Sequence, residues 1–191
     1  QQHYALGVLQ LLDKDASHIS KNLYPKLSQD SYKDKNDTRT ILIFLSVSNN
    51  RASCQLKNST FAKLLNQLKH SYSIFAYIST LEADTNKAKD LQNLLDIKSS
   101  IKLTPSLKDY INVIHTTDLC FFGEGGGMHM AAALRKKQVV LFGHTSTITW
   151  SPLSDVATVL SDQSNVNNIS TDKILSALQL ALEEITSSKG F

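Results

Sequence analysis

The residues of this chain that are best suited to hold a ligand form one short run, Glu124–His129, which contains three consecutive glycines. Glycine has no Cβ, so the N–H groups of Gly125, Gly126 and Gly127 can approach a ligand closely. If a helix begins at these glycines, its first amides have no partner within the helix and carry partial positive charge. The run therefore predicts an anion site, for a phosphate above all, although a tight turn without a ligand would use the same residues.

Apolar segments on both sides of this run indicate the elements that position it. Leu119–Phe122 predicts a short strand, Met128–Leu134 a helix of small residues, and Val139–Phe142 a second strand. A strand, a glycine turn, a helix and a strand in this order are typical of parallel sheets, whose ligands gather at the carboxyl ends of the strands. The glycines match neither GxGxxG nor a phosphate loop ending in Gly-Lys-Ser/Thr, which counts against a dinucleotide-dependent oxidoreductase.

The rest of the chain repeats this alternation of apolar strands and amphipathic helices. Four further strands are predicted, at Thr40–Val47, Ser73–Ser79, Ile101–Leu103 and Val156–Leu160. We therefore predict an α/β domain over residues 39–191, a Rossmann-like doubly wound parallel sheet. Before it, residues 1–38 are predicted to form a helix at His3–Leu12 and a polar linker.

The composition excludes some classes of protein. With 41% hydrophobic and 19% charged residues, the 191-residue chain is typical of a globular domain. A net charge of +3 gives no support for a nucleic-acid partner, and no apolar run approaches the roughly 18 residues that cross a bilayer. The chain begins at Gln1 without a signal-peptide pattern, so we expect a fragment or a processed product.

Neither the cysteines nor the histidines show the spacing of a metal site. Cys54 and Cys120 fall in different predicted elements without a CxxC pattern, so we expect a reduced cytoplasmic protein rather than a disulfide. His129 and His144 lack a third ligand at suitable spacing. We therefore expect no metal and no cofactor.

Polar residues also follow the first two predicted strands. Ser48, Asn49 and Arg51 come after the first strand and offer hydroxyl, amide and guanidinium groups, which bind phosphates; a solvated loop is the alternative. Asp84 follows the second strand and either accepts hydrogen bonds from a ribose or caps the next helix. Glu124 would be repelled by a phosphate, so we expect it to bind sugar hydroxyls or a basic or metal partner of the phosphate.

Two motifs carry a resemblance to a known family. The first is Asp118–Leu134, with its Glu-Gly-Gly-Gly-Met-His run, and the second is Leu141–Thr145, Leu-Phe-Gly-His-Thr, with Pro152 further on. They resemble the C-terminal donor-binding domain of the glycosyltransferase family 9 heptosyltransferases. That family typically has an acidic residue, a small residue and Gly-Pro-Met-His, then Phe-Gly-x-Thr. Here Glu124 stands where the family usually has Asp, and Gly127 where it usually has Pro.

This resemblance implies the C-terminal, donor-binding half of a GT-B type glycosyltransferase, with a nucleotide-sugar donor of the ADP-heptose type. The residues expected to bind the donor are Ser48, Asn49, Arg51, Asp84, Glu124, Gly125, Gly126, Gly127, Met128 and His129. The family also places a lysine near the phosphates. Its position falls near Ser53 or Cys54 here, so Arg51 or Lys57 is expected to replace it.

The same resemblance implies a reaction and a location. The acceptor would be the lipopolysaccharide core, at the cytoplasmic face of the bacterial inner membrane, with peripheral membrane contact only through an N-terminal acceptor domain. That domain supplies the general base in the family, so we expect no catalytic base here and no activity of this chain alone. The alternative is a non-catalytic nucleotide- or partner-binding domain derived from a glycosyltransferase.

Overall fold

The computed structural model describes residues 40–49 and 51–189, which form a six-stranded sheet flanked by helices. The strands are β1 (Ile41–Ser46), β2 (Ile74–Thr80), β3 (Ser99–Leu103), β4 (Leu119–Gly123), β5 (Lys137–Phe142) and β6 (Ala157–Ser161). The α-helices are α1 (Asn58–Leu68), α2 (Thr85–Leu94), α3 (Leu107–Thr116), α4 (Gly126–Ala133), α5 (Thr147–Trp150) and α6 (Thr171–Lys189). None of these helices is both long and apolar enough to cross a membrane. The helix and linker predicted for residues 1–38 lie outside the described residues.

All neighbouring strands of the sheet are parallel, in the order β3-β2-β1-β4-β5-β6. The strand order reverses between β1 and β4, where Leu45 lies opposite Phe121. In sheets of this type the ligand crevice lies at the reversal, outside the carboxyl ends of the two strands. The predicted doubly wound, Rossmann-like α/β class is confirmed, and each predicted strand overlaps an observed one.

The central strands β1 and β4 are almost entirely apolar because helices cover both faces of the sheet, whereas the edge strands β3 and β6 also contain polar residues. On one face α1, α2 and α6 pack on a core cluster that includes Ile43, Leu45 and Phe61. On the other face α3 and α4 pack on a second cluster, which includes Phe44 and Phe122. Successive residues of β1 thus point to opposite faces, as the period of a strand requires.

Helix α3 begins with a capping box that fixes where the helix starts. The Ser106 hydroxyl accepts a hydrogen bond from the Asp109 amide at 3.2 Å, and the Asp109 carboxylate accepts one from the Ser106 amide at 3.3 Å. These bonds satisfy amides that would otherwise be unpaired. One residue further on, the Tyr110 ring packs edge-on against Phe44, with ring centroids 5.2 Å apart.

Two helices differ from the sequence prediction. Helix α4 begins at Gly126, two residues before its predicted start, so the second and third glycines belong to its first turn. The short helix α5 lies between the predicted strands Val139–Phe142 and Val156–Leu160, where no helix is predicted. That helix forms because the Ser146 hydroxyl accepts a hydrogen bond from the Thr149 amide at 3.4 Å and caps it.

Candidate functional site

A pocket of about 660 Å³ lies at the carboxyl ends of β1 and β4, where the strand order reverses. Small-molecule sites typically occupy roughly 300 to 1,000 Å³, so this volume fits a ligand of that kind. The predicted site residues that line the pocket are Ser48, Asn49, Arg51, Glu124, Gly125, Gly126, Gly127, Met128 and His129. The fold thus brings together every predicted residue except Asp84.

The glycine turn presents its backbone to this pocket. Helix α4 begins at Gly126, and the amide of Glu124 just before the turn donates to the Leu141 carbonyl of β5 at 2.8 Å. Gly125 and Gly126 are exposed. Because the first amides of an α-helix have no acceptor within the helix and carry partial positive charge, the turn has the geometry and electrostatics of an anion site.

Polar side chains of the loop after β1 hold neighbouring loops in place. The Nδ2 atom of Asn49 donates to the Glu124 carbonyl at 3.0 Å, and Oδ1 accepts from the Arg51 amide at 3.0 Å. The Ser48 hydroxyl accepts from the Leu81 amide at 3.1 Å. The loop after β1 is therefore bonded both to the glycine turn and to the loop after β2.

Arg51 gives the pocket its permanent positive charge. Among the described residues that line the pocket, Arg51 is the only lysine or arginine, and it is exposed. Lys57, the other residue expected to replace the family lysine, does not line the pocket. A guanidinium group suits a phosphate because its planar fork donates two parallel hydrogen bonds.

Glu124 is buried beneath the turn and accepts hydrogen bonds from three protein groups. Its Oε1 atom lies 3.0 Å from the Gly143 amide and 3.1 Å from the Cys54 thiol. Its Oε2 atom accepts a hydrogen bond from the Thr145 hydroxyl. Both oxygens therefore tie the glycine turn to the segment after β5. The contact of Glu124 with sugar hydroxyls stays a prediction.

A short 3-10 turn, Ala52–Cys54, brings further groups to this edge of the sheet. It packs so closely on the ends of β4 and β5 that a Cβ at Gly123 or Gly143 would lie under 3.0 Å from its backbone. The Cys54 sulfur lies 3.9 Å from Nδ1 of His144, and burial raises the pKa of this thiol. The spacing of Cys54 and His144 in the sequence does not predict this contact. Only the glycines at the ends of β4 and β5, Gly123 and Gly143, indicate that another segment packs closely there.

Asp84 does not line the pocket, which corrects its predicted place beside the other candidates. It occupies the N-cap position of α2, in agreement with the alternative interpretation, but its carboxylate makes no capping bond. The carboxylate instead accepts a hydrogen bond from the Lys87 ammonium at 2.6 Å. The Lys87 bond, with a second one from Ser48, lowers the pKa of Asp84. This ion pair holds the carboxylate over α2, so a ribose contact of Asp84 stays a prediction.

Comparison with known families identifies the kind of protein that has this pocket. The model of the family described as glycosyltransferase family 9 (heptosyltransferase) matches residues 3–178. The chain belongs to glycosyltransferase family 9. The match extends over the whole sheet, and the resemblance found in the sequence motifs is confirmed. No curated protein matches the chain.

Solved structures of family 9 proteins have the same fold. ADP-heptose LPS heptosyltransferase II of E. coli is 18% identical with a TM-score of 0.67, over 78% of this chain and 49% of that chain. The family 9 glycosyltransferase of Veillonella parvula is 15% identical with a TM-score of 0.67, over 75% of this chain and 47% of that chain. E. coli heptosyltransferase WaaC with ADP is 14% identical with a TM-score of 0.63, over 74% of this chain and 44% of that chain. This family 9 chain thus spans about half the length of these relatives, and its fold is the Rossmann-like half of the GT-B type.

One departure from the usual family 9 motif has a direct structural cause. Gly127 stands where the family usually has proline, and a Cβ at this position would lie under 3.0 Å from the Tyr110 hydroxyl. That hydroxyl hydrogen-bonds the Ser46 side chain, and burial raises its pKa, so it stays neutral. The tyrosine therefore fills the space that a proline ring would need. The sequence predicts Tyr110 only as a core residue, because nothing in the spacing indicates that it lines the pocket.

Proposed function

We propose that this domain binds the nucleotide-sugar donor of a heptosyltransferase, with a donor of the ADP-heptose type in the pocket between the ends of β1 and β4. The observation that carries the proposal is the exposed glycine turn, which begins helix α4 where the strand order reverses. Membership of family 9 supports a transferase. The solved structure of the relative WaaC is one with ADP, which supports ADP as the nucleotide part of the donor.

The diphosphate is the part of such a donor that the pocket suits best. The amides of Gly125 and Gly126 would donate to its oxygens, and the Arg51 guanidinium would add a charged partner from the opposite loop. When the bond between sugar and diphosphate breaks, negative charge grows on the leaving phosphate. The amides and Arg51 would stabilise that charge, which is the contribution of this domain to catalysis.

Trp150 provides a surface for the base or the sugar of the donor. The sequence leaves two roles open for this residue, lining the sugar or base pocket or packing over the domain, with a slight preference for packing. In the structure Trp150 lines the pocket and is 43% exposed. An indole ring offers a flat apolar face that suits a planar base or the apolar side of a sugar ring. We propose that Trp150 covers the donor next to the diphosphate.

The acceptor and the general base belong to another part of the proposed enzyme. Glu124, the one carboxylate among the described residues that line the pocket, is buried and accepts hydrogen bonds from the Gly143 amide and the Thr145 hydroxyl. We therefore propose that residues 39–191 bind the donor, that residues 1–38 link this domain to an acceptor domain, and that the chain alone transfers no sugar. The acceptor would be the lipopolysaccharide core, at the cytoplasmic face of the inner membrane, with any membrane contact made by the acceptor domain.

Binding of ADP to the purified chain tests the proposal. The only tryptophan of the chain, Trp150, lines the pocket, so its fluorescence reports on occupancy. We expect saturable binding of ADP, and binding of adenosine at least about tenfold weaker because adenosine lacks the diphosphate. Calorimetry gives the same affinities without the reporter. Equal affinities for the two ligands, or no saturable binding of ADP, would contradict the proposal.

A single substitution tests the part assigned to Arg51. Arg51→Gln removes the positive charge of the pocket, so we expect ADP to bind roughly tenfold more weakly, about 1.4 kcal/mol, with adenosine binding unchanged. Arg135→Gln is the matched control, because Arg135 follows the other end of α4. An equal loss in both variants would show that overall charge, rather than Arg51, sets the affinity.

A further inference from the structure

Three side chains from distant segments converge beside the pocket. The Cys54 sulfur, a carboxylate oxygen of Glu124 and a ring nitrogen of His144 all lie within 4.8 Å of one another. Cys54 is a free, buried thiol, Glu124 is buried, and His144 is exposed. The spacing of these residues in the sequence does not reveal the cluster. The cluster joins His144 to Cys54, from the turn after β1, and to Glu124, beside the glycine turn.

We propose that Cys54, Glu124 and His144 bind a thiophilic divalent cation, with Zn²⁺ as the best match. Thiolate, carboxylate and imidazole are the protein ligands that zinc prefers. The thiolate and the carboxylate together balance the two positive charges of the ion. On binding, the thiol proton leaves to solvent and a metal–sulfur bond replaces the sulfur–hydrogen bond, with no change of oxidation state.

The ligand atoms already lie close to the spacing that zinc requires. The sulfur is 3.1 Å from Oε1 of Glu124 and 3.9 Å from Nδ1 of His144. In a tetrahedral zinc site with bonds of about 2.0 to 2.3 Å, neighbouring ligand atoms lie roughly 3.3 to 3.8 Å apart. Shifts of a few tenths of an ångström would therefore bring both sulfur distances into this range. The oxygen and the nitrogen lie within 4.8 Å of each other, and His144 is exposed, so its ring has room to move toward the carboxylate.

Neighbouring groups orient these ligands from outside. The Gly143 amide, at 3.0 Å, and the Thr145 hydroxyl hold the Glu124 carboxylate in place. The Ser53 hydroxyl lies 3.1 Å from Nδ1 of His144 and would give up this contact when Nδ1 binds the metal. Such outer contacts fix ligand orientation in metal sites. Three protein ligands leave a fourth position for water or a ligand oxygen. The inference does not rest on the proposed donor, since the cluster is complete without a nucleotide.

Metal titration of the full chain tests this inference directly. Metal-free protein is titrated with Zn²⁺ in competition with a chromophoric chelator, without nucleotide, and then with Co²⁺ as a spectroscopic substitute. We expect one Zn²⁺ per chain with a Kd of about 1 μM or tighter, and a sulfur-to-cobalt charge-transfer band. Binding weaker than about 100 μM, or a cobalt complex without that band, would overturn the proposal.

Matched variants locate the metal. His144→Ala changes an exposed side chain and should weaken Zn²⁺ binding by about tenfold or more, whereas His70→Ala, another exposed histidine, should leave it unchanged. Cys54→Ser should abolish the cobalt band and Cys120→Ser should keep it, with circular dichroism confirming that both variants fold. Unchanged zinc affinity in His144→Ala, or a band that persists in folded Cys54→Ser, would place the metal elsewhere and overturn the inference.

Discussion

The polar residues at the pocket divide by what their side chains contact. The side chains of Glu124 and Asn49 bond to protein groups and hold three loops together. Arg51 is instead exposed beside the glycine turn. We therefore expect substitutions of Glu124 or Asn49 to change protein stability first, and substitutions of Arg51 to change affinity for anions first.

Gly127 offers a test of close packing at the pocket wall. Gly127→Ala places a methyl group under 3.0 Å from the Tyr110 hydroxyl, so we expect a loss of about 1 to 3 kcal/mol in the free energy of unfolding. In a Tyr110→Phe background the hydroxyl is absent, and the same substitution should cost less. Urea unfolding of the wild type, both single variants and the double variant measures this coupling. An equal cost of Gly127→Ala in both backgrounds would show that the hydroxyl is not the obstacle.

The secondary structure elements were predictable where their pattern is local. Thr40–Val47 predicts β1 because a strand buried on both faces is apolar without interruption. The start of α4 was predicted two residues too late. Glycine has a low helix propensity, so the sequence gives no reason to place Gly126 and Gly127 in the first turn of a helix. The contact of Cys54 with His144 joins residues 90 positions apart, and only the packed fold brings them together.

The contribution of the α3 capping box to stability can be tested by substitution. Ser106→Ala removes the hydroxyl that accepts from the Asp109 amide, so we expect the free energy of unfolding to fall by about 1 kcal/mol. Thermal or urea unfolding measures the change. Ser59→Ala, at an exposed position in the first turn of α1, is the control and should change stability by less than about 0.5 kcal/mol. Equal effects would mean that the box does not stabilise α3.

The ion pair of Asp84 and Lys87 at the start of α2 should make stability depend on pH. The Lys87 bond lowers the pKa of Asp84 below its ordinary value of 3.8, so the folded state favours the ionised carboxylate. Its contribution to stability is present above pH 3.8 and is lost as the pH falls through the folded pKa. Lys87→Met should raise the pKa of Asp84, as measured by NMR titration of the carboxyl carbon. Lys89→Met, on the same helix, should leave it unchanged; an equal rise in both would contradict the assignment to Lys87.

At the scale of the whole molecule, strand order determines where the pocket lies. β1 and β4 are neighbours although two strands separate them in sequence, so the loops that follow them meet at one edge. This meeting was predictable from the alternation of strands and helices, because parallel sheets place their ligands at such edges. The position of Tyr110 in the pocket wall was not predictable, since it depends on how α3 packs on the sheet.

The central claim is that the glycine turn holds a diphosphate, and one NMR experiment tests it most directly. The chain has seven glycines, so ¹⁵N-glycine labelling gives a spectrum simple enough to follow each backbone amide. As ADP is added, we predict that the resonances of Gly125, Gly126 and Gly127 shift in a saturable way, while adenosine leaves them near their starting positions. If those three resonances stay fixed while ADP binds, or if ADP and adenosine shift them equally, the diphosphate is not held at the turn.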